Sequence, residues 1–209
     1  MAEVEPWEEQ FAEHAANDGI VLEPASFHWA SEPGHLAIGA LADQSGNIEV
    51  MQRAEIAVPA LEQMFKTMGG LAPVLYSCRV NKPYPALLMH EPTSTLIAVD
   101  GVLHFTSPRL KTLKLYPGEA LLGYDVKAYK ALCEEHAPKT DKWRYGLASR
   151  MFGFHGLQIE RAYQDAVRDL GSWVMGFSPL IRVPAIDEDG EAAYARVKDE
   201  LHGKLKTKA

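Results

Sequence analysis

The sequence predicts an α+β fold, with an antiparallel β-rich block over about residues 36–115 that contains an inserted helix. An N-terminal helix precedes this block and a helical C-terminal third follows it. Two observations support the prediction: strand-like runs are concentrated in the middle of the chain, and helical periodicity dominates its last third. Runs of strands followed by runs of helices are typical of α+β proteins rather than of parallel α/β sheets.

The first predicted element is a helix over residues 6–18. Pro6 suits the first turn of a helix, and apolar residues recur every four positions from Trp7 to Ala15. Gly19 supplies the left-handed residue at which helices commonly end.

The β-rich block is predicted to begin with two strands, over residues 36–41 and 48–58, around the turn-forming residues 43–47. A helix that opens at Pro59 and ends at the glycine pair 69–70 interrupts the block. Further strands are predicted over residues 74–80, 86–90, 95–99, 102–106 and 110–115. The dipeptide Asp100-Gly101 predicts a two-residue hairpin turn, because both residues tolerate a positive φ.

The C-terminal third is predicted to hold three helices. The first is capped by Asp125 and stops before Pro138. The second is an amphipathic helix over residues 157–170, and the last follows residues 187–190. Residues 173–186 are apolar but contain glycine and two prolines, which favours irregular or short extended structure.

One α+β domain is predicted over residues 1–209, and a subdivision near residues 117–118 is the alternative. The apolar spacing within each element predicts a buried core that includes Leu61, Phe65, Val74, Tyr76, Val99, Phe105, Ile159, Tyr163 and Val167.

Composition predicts a cytoplasmic protein without a membrane segment. The N-terminus is acidic where a secretory signal would be basic and then apolar, and no apolar run approaches the roughly 20 residues that span a bilayer. Cys78 and Cys133 are predicted to be unpaired, buried thiols, since nothing else in the sequence indicates an oxidising compartment.

Charge is distributed unevenly along the chain. Residues 1–65 contain twelve acids and one base, a net charge of −11, although the whole chain carries only −7. This asymmetry favours docking to another protein through an acidic surface, and Glu8, Glu9 and Glu13 are the candidate contact residues. The same carboxylates could also serve only to solvate the first helix.

A nucleic-acid-binding function is the first alternative. Residues 107–150 hold nine bases against five acids. The stretch from Trp143 to Arg161 resembles a helix-turn-helix: Leu-Ala lies in the first helix, a glycine at the turn and an isoleucine in the second helix, although Gly153 comes five residues after Ala148 instead of four. This interpretation of residues 143–168 would direct Arg144, Arg150, Arg161 and Arg168 towards phosphates.

An enzyme of unrecognised type is the second alternative, with a pocket near Cys78, His90 and His104. No catalytic residue is assigned, because no nucleophile elbow or phosphate-binding loop is present. Neither a metal nor another cofactor is predicted, since the eight histidines and two cysteines show no ligand spacing. No motif therefore identifies a chemistry, and a non-enzymatic protein-binding or regulatory factor is the preferred hypothesis.

Overall fold

The computed structural model describes residues 4–78, 83–143 and 147–206, and this part of the chain contains eight α-helices and a four-stranded mixed sheet. The strands are β1 (Glu23–Ala25), β2 (Leu87–His90), β3 (Thr95–Gly101) and β4 (Ser178–Ala185). The helices are α1 (Pro6–Asn17), α2 (His35–Ser45), α3 (Ile48–Thr67), α4 (Ala72–Ser77), α5 (Ser107–Lys114), α6 (Val126–Thr140), α7 (Leu157–Val174) and α8 (Gly190–Lys204). The predicted α+β class is confirmed.

The sheet has the strand order β1-β2-β3-β4. The first three strands are antiparallel neighbours, whereas β4 runs parallel to β3. A parallel pair needs a long crossover connection, and the segment with α5, α6 and α7 provides it. Because β4 is an edge strand, it can contain Pro179 and Pro184, each of which lacks a backbone donor.

Alternation along β3 separates two hydrophobic clusters on opposite faces of the sheet. Leu96 and Ala98 belong to the cluster that includes residues of α2, α3 and α7. Ile97 and Val99 belong to the cluster that includes residues of α1 and α8. Successive side chains of a strand point to opposite faces, so Asp100 lies on the α7 face. A third cluster joins α5 and α6 around Phe105.

The prediction of a β-rich block over residues 36–115 needs correction, because most of this segment is helical. Residues 36–41 lie in α2, residues 48–58 in α3, and residues 110–114 in α5. The start of α3 is fixed by Asn47, whose side-chain oxygen accepts hydrogen bonds from two backbone N–H groups of the first turn. The buried residues of α3 recur every three or four positions, so they form a single helical stripe: Val50, Ala54, Ala57, Leu61, Met64 and Phe65.

The predicted hairpin at Asp100-Gly101 is wrong. β3 continues through both residues, and residues 102–104 form a short 3-10 helix instead of a returning strand. Asp100 is buried at 2% exposure, where its carboxylate binds Arg182 and Tyr129. Tertiary ion pairing therefore overrides the local turn preference of this dipeptide.

Most of the predicted core residues are buried. Val74 and Ile159 are half-buried, and Tyr76 is 66% exposed because it lies on the short helix α4 rather than on a strand. Both thiols are unpaired as predicted, but only Cys133, on α6, is buried, whereas Cys78, which follows α4, is half-buried. Within the described ranges, no helix combines the length and apolar character needed to cross a membrane.

Candidate functional site

A buried network of charged side chains lies between β3, β4, α5 and α7. Its aspartates are Asp100 on β3 and Asp165 and Asp169 on α7, and its arginines are Arg109 on α5, Arg168 on α7 and Arg182 on β4. None of these six residues is more than 7% exposed. Buried charges on this scale persist only where they are paired and hydrogen-bonded.

Arg182 is the central cation of the network. Its Nη1 donates to both carboxylate oxygens of Asp100, at 2.8 and 2.9 Å, and its Nε donates to Asp169 at 2.8 Å. Its Nη2 lies 3.3 Å from a carboxylate oxygen of Asp165. The neighbouring residues Ile181 and Val183 face the opposite cluster, so the alternation of β4 directs Arg182 towards α7.

Asp169 accepts hydrogen bonds from a second arginine and from two tyrosines. Its Oδ2 accepts hydrogen bonds from Arg109 Nη2, Tyr116 and Tyr124, each at 2.7 Å. Burial alone would raise the pKa of Asp169, but the charges of Arg182 and Arg109 outweigh burial and the pKa lies below its usual value. This carboxylate is therefore an ionised structural anchor.

His104 extends the network towards the surface. It ends the 3-10 helix that follows β3, and its Nδ1 lies 2.8 Å from Asp165 Oδ2 and 3.4 Å from Asp100 Oδ1. Both neighbours are carboxylate acceptors, so Nδ1 carries the proton and a neutral ring keeps its acceptor lone pair on Nε2. The His104 side chain is 18% exposed, so the network reaches the surface at this residue.

A pocket of about 320 Å³ opens above this network. Its polar lining consists of Glu5, Glu8, Glu32, Tyr84, Asp100, His104, Glu160, Arg161, Gln164 and Arg168. Burial raises the pKa of Glu8 to about 7, although the backbone N–H of Glu5 and the positive charge of Arg168 act in the opposite direction. A carboxyl group with this pKa exchanges protons near neutral pH.

Arg168 closes the floor of the pocket. Its Nη1 lies 3.5 Å from Asp165 Oδ1, and its Nη2 donates to the backbone oxygen of Pro85 at 2.9 Å. Its Nε is buried and has no hydrogen-bond partner among the described residues. An unsatisfied buried donor is costly, and the side chain that carries it lines the pocket.

The donor set Asp100, His104 and Asp165 has the chemistry of a metal site. One ligand atom from each lies within 4.8 Å of the others. Both carboxylates, however, already bind guanidinium groups, and the three buried aspartates are matched by three buried arginines. A divalent cation would add uncompensated positive charge at low dielectric, so the arrangement favours proton transfer over metal binding.

The acidic residues predicted to bind a partner divide between two locations. Glu8 lines the pocket, whereas Glu9 and Glu13 are exposed on α1. The sequence interpretation treated the three carboxylates as one surface. The structure separates the role of Glu8 from that of the other two.

The arginines predicted to contact phosphates do not lie on a helix-turn-helix. Residues 147–156 contain turns and an isolated bridge instead of a helix. The helix-turn-helix expected over residues 143–168 is therefore not formed. Arg161 and Arg168 line the pocket, Arg150 lies 3.8 Å from Glu32, and Arg144 lies outside the described residues.

Of the three residues named for an enzyme pocket, only His104 lines the pocket. The Cys78 thiol lies 4.0 Å from Oε2 of Glu32, which is one of the lining residues. His90 contacts Thr93 at the far end of the pair of strands β2 and β3, and it does not line the pocket.

Sequence reasoning missed Asp100, Asp165, Asp169 and Arg182, although two local signals were present. Arg182 is a single charge inside the apolar run from Leu180 to Val183. On α7, Asp165, Arg168 and Asp169 lie among the mostly apolar residues 162–174. A charge within an apolar element indicates a buried partner, but it does not identify that partner.

The chain matches the model of a family described as a family of unknown function (DUF7255) over residues 63–203. The matched range includes every member of the buried charged network, whereas Glu8 and Glu32 lie outside it. Neither the comparison with curated proteins nor that with solved structures found a match.

Proposed function

Because this chain belongs to DUF7255, a family of unknown function, we propose its function from the pocket alone: hydrolysis of a carboxylic ester or amide by general acid–base catalysis. One observation carries the proposal. An imidazole oriented by a buried carboxylate shares a pocket with a carboxyl group whose pKa is about 7. Such a pair places a proton acceptor and a proton donor in one pocket.

His104 is the proposed general base. The 2.8 Å contact between its Nδ1 and Asp165 Oδ2 fixes the ring and stabilises the imidazolium that forms when Nε2 accepts a proton. Asp165 suits this role because its charge persists: burial would raise its pKa, but His104, Arg182 and Arg109 hold the pKa well below its usual value. Asp165 therefore stays ionised while His104 gains and loses its proton.

Glu8 is the proposed general acid, and Arg168 the proposed donor to the substrate oxygen. His104 Nε2 takes a proton from water while the water oxygen forms a bond to the carbonyl carbon, and the carbonyl electron pair moves onto oxygen near Arg168. When the tetrahedral intermediate collapses, the bond to the leaving group breaks and Glu8 gives its proton to that group. Loss of the His104 proton to the Glu8 carboxylate, through solvent, restores both residues.

The charge of the pocket favours a carbonyl over a phosphoryl substrate. Among the described residues, its lining contains five carboxyl groups, from four glutamates and Asp100, and two arginines. A phosphate ester would bring negative charge into this surrounding, whereas a carboxylic ester or amide is neutral.

The test is a panel of 4-nitrophenyl esters and 4-nitroanilides of acetic acid, butyric acid and unprotected amino acids. His104→Asn should lower kcat/KM about 100- to 10,000-fold on any substrate that is turned over, because it removes the base. His28→Asn, at an exposed histidine, is the matched control. Turnover at the rate of the buffer blank, or equal rates for the His104 variant and the wild type, would exclude the proposal.

A second proposal concerns the acidic surface of α1. Glu9 and Glu13 are exposed, and no ion pair holds either carboxylate within the described part of the chain. Their exposure supports docking of a basic protein partner, as the charge of residues 1–65 favours. Reversing both charges to lysine should abolish capture of such a partner without changing hydrolysis. Binding to nucleic acid stays the alternative, and a steep loss of affinity with salt would indicate it.

A further inference from the structure

We propose that the rim of this pocket is a subsite for an ammonium or guanidinium group of the substrate, formed by Glu32, Glu160 and Tyr84. The inference rests on the proposed function, because it specifies the substrate class of the same pocket. It predicts that the ester or amide is a small molecule that also carries a positive charge.

Among the residues that the structure describes, Glu32 has no strong cationic partner. Its side chain is only 13% exposed, and the nearby cation, Arg150 Nη1, lies 3.8 Å away on a side chain that is 61% exposed. The Cys78 thiol at 4.0 Å is a weak donor. A shielded carboxylate with these contacts is under-compensated, so it attracts a cation that can donate hydrogen bonds to it.

Tyr84 gives an independent indication of a ligand. The residue lines the pocket and is 4% exposed, and its buried hydroxyl group has no hydrogen-bond partner among the described residues. Burial raises the pKa of Tyr84 well above its usual value, so the group stays neutral and can accept a hydrogen bond. Arg168 already lies over its ring, with the guanidinium carbon 6.0 Å from the centroid.

The remaining rim adds negative charge. Glu5 and Glu160 line the same opening, and Arg161 is the only rim cation among the described lining residues. The volume of about 320 Å³ is at the lower end of the range for small-molecule sites, which is roughly 300–1,000 Å³. The pocket therefore suits a compact cationic ester or amide, such as an amino-acid derivative with a free amino group.

The direct test is isothermal titration calorimetry of the full chain with n-butylammonium and n-butylguanidinium, against butanol and butyrate at constant ionic strength and pH. At least one cation should bind, and neither butanol nor butyrate should. Glu32→Gln should weaken binding of the cation about tenfold or more, because it removes a charge-assisted hydrogen bond. Tyr84→Phe should weaken it less, since it removes one neutral acceptor.

Two controls keep the result interpretable. Glu55→Gln, at an exposed residue outside the pocket, should leave cation binding unchanged. Glu160→Gln tests the same subsite at a partly exposed rim position, where a substitution leaves the core intact. The subsite is overturned by failure of both cations to bind, by equal binding of butanol or butyrate, or by equal weakening in the Glu55 and Glu32 variants.

This test separates the two proposals. Selective cation binding without turnover of any substrate in the panel would retain the subsite and exclude the hydrolase. Turnover of uncharged substrates with no inhibition by either cation would retain the hydrolase and exclude the subsite.

Discussion

At the scale of single residues, Glu8 combines two roles that oppose each other. Its carboxylate accepts a hydrogen bond from the backbone N–H of Glu5 at 2.7 Å, which helps to cap α1. The same side chain lines the pocket, where burial raises its pKa to about 7. The raised pKa of Glu8 therefore lowers the stability of the fold at neutral pH, but it provides a carboxyl group that can donate a proton.

We expect Glu8→Gln to change the pH dependence of stability. The folded-state pKa of about 7 exceeds the ordinary value of 4.5, so the wild type loses stability as the pH rises between these values. Glutamine resembles the protonated acid and does not titrate. Chemical denaturation at pH 5 and pH 8 should show that the variant gains stability relative to the wild type at the higher pH.

Glu9→Gln, on the same helix, is the matched control for removal of one charge. An equal free-energy difference between Glu8→Gln and the wild type at the two pH values would contradict the raised pKa. In the hydrolysis assay, Glu8→Gln should lower kcat. It should also remove the decline in rate that the wild type shows above about pH 7.

At the scale of elements, α7 connects the core with the site. Asp165, Arg168 and Asp169 are spaced by three and four residues, so all three project from one side of the helix towards β4 and α5. Other faces of α7 are also buried, which removes these charges from water and makes their pairing obligatory.

Asp169→Asn should destabilise the fold by about 3–5 kcal/mol, because it removes a carboxylate that pairs with both Arg109 and Arg182 and leaves three buried arginines with two buried aspartates. Urea denaturation monitored by circular dichroism measures this loss. Asp199→Asn on α8 is the exposed control and should stay within about 0.5 kcal/mol of the wild type. A loss below about 1 kcal/mol for Asp169→Asn would show that the network contributes little to stability.

At the scale of the whole molecule, the buried aspartates should make the protein sensitive to acid. The pKa values of Asp165 and Asp169 are lower in the folded state than the ordinary value of 3.8. Their contribution to stability is therefore complete above that value and is lost as the pH falls through the folded-state values. Between pH 5 and pH 3, Asp169→Asn should lose less stability than the wild type, and a parallel loss in both proteins would count against this assignment.

A single domain over residues 1–209 is a further prediction at this scale. Tyr116 packs against both the largest hydrophobic cluster and the cluster of α5 and α6, which joins the two sides of the alternative boundary at residues 117–118. Scanning calorimetry should give one transition whose calorimetric and van't Hoff enthalpies agree. Two resolved transitions would support the subdivision instead.

Elements whose signals are local could be predicted from the sequence. The limits of α1, the amphipathic part of α7, the strand β2 and the start of α8 near residues 187–190 all depend on neighbouring residues. The same local reasoning failed for α2 and α3, because a short apolar run with β-branched residues fits a buried strand as well as a buried helix. Only packing against the sheet and α7 decides between these two structures.

The candidate site was decided by the tertiary structure alone. Its members come from α1, from β3 and the turn after it, from α7 and from β4, so no short motif contains them. Asp100 illustrates the reason: next to a glycine it favours a turn, but in the fold the free energy of pairing its buried charge with Arg182 keeps it in a strand. Ion pairing between distant residues acts only after the chain has brought them together, which is why local patterns could not reveal it.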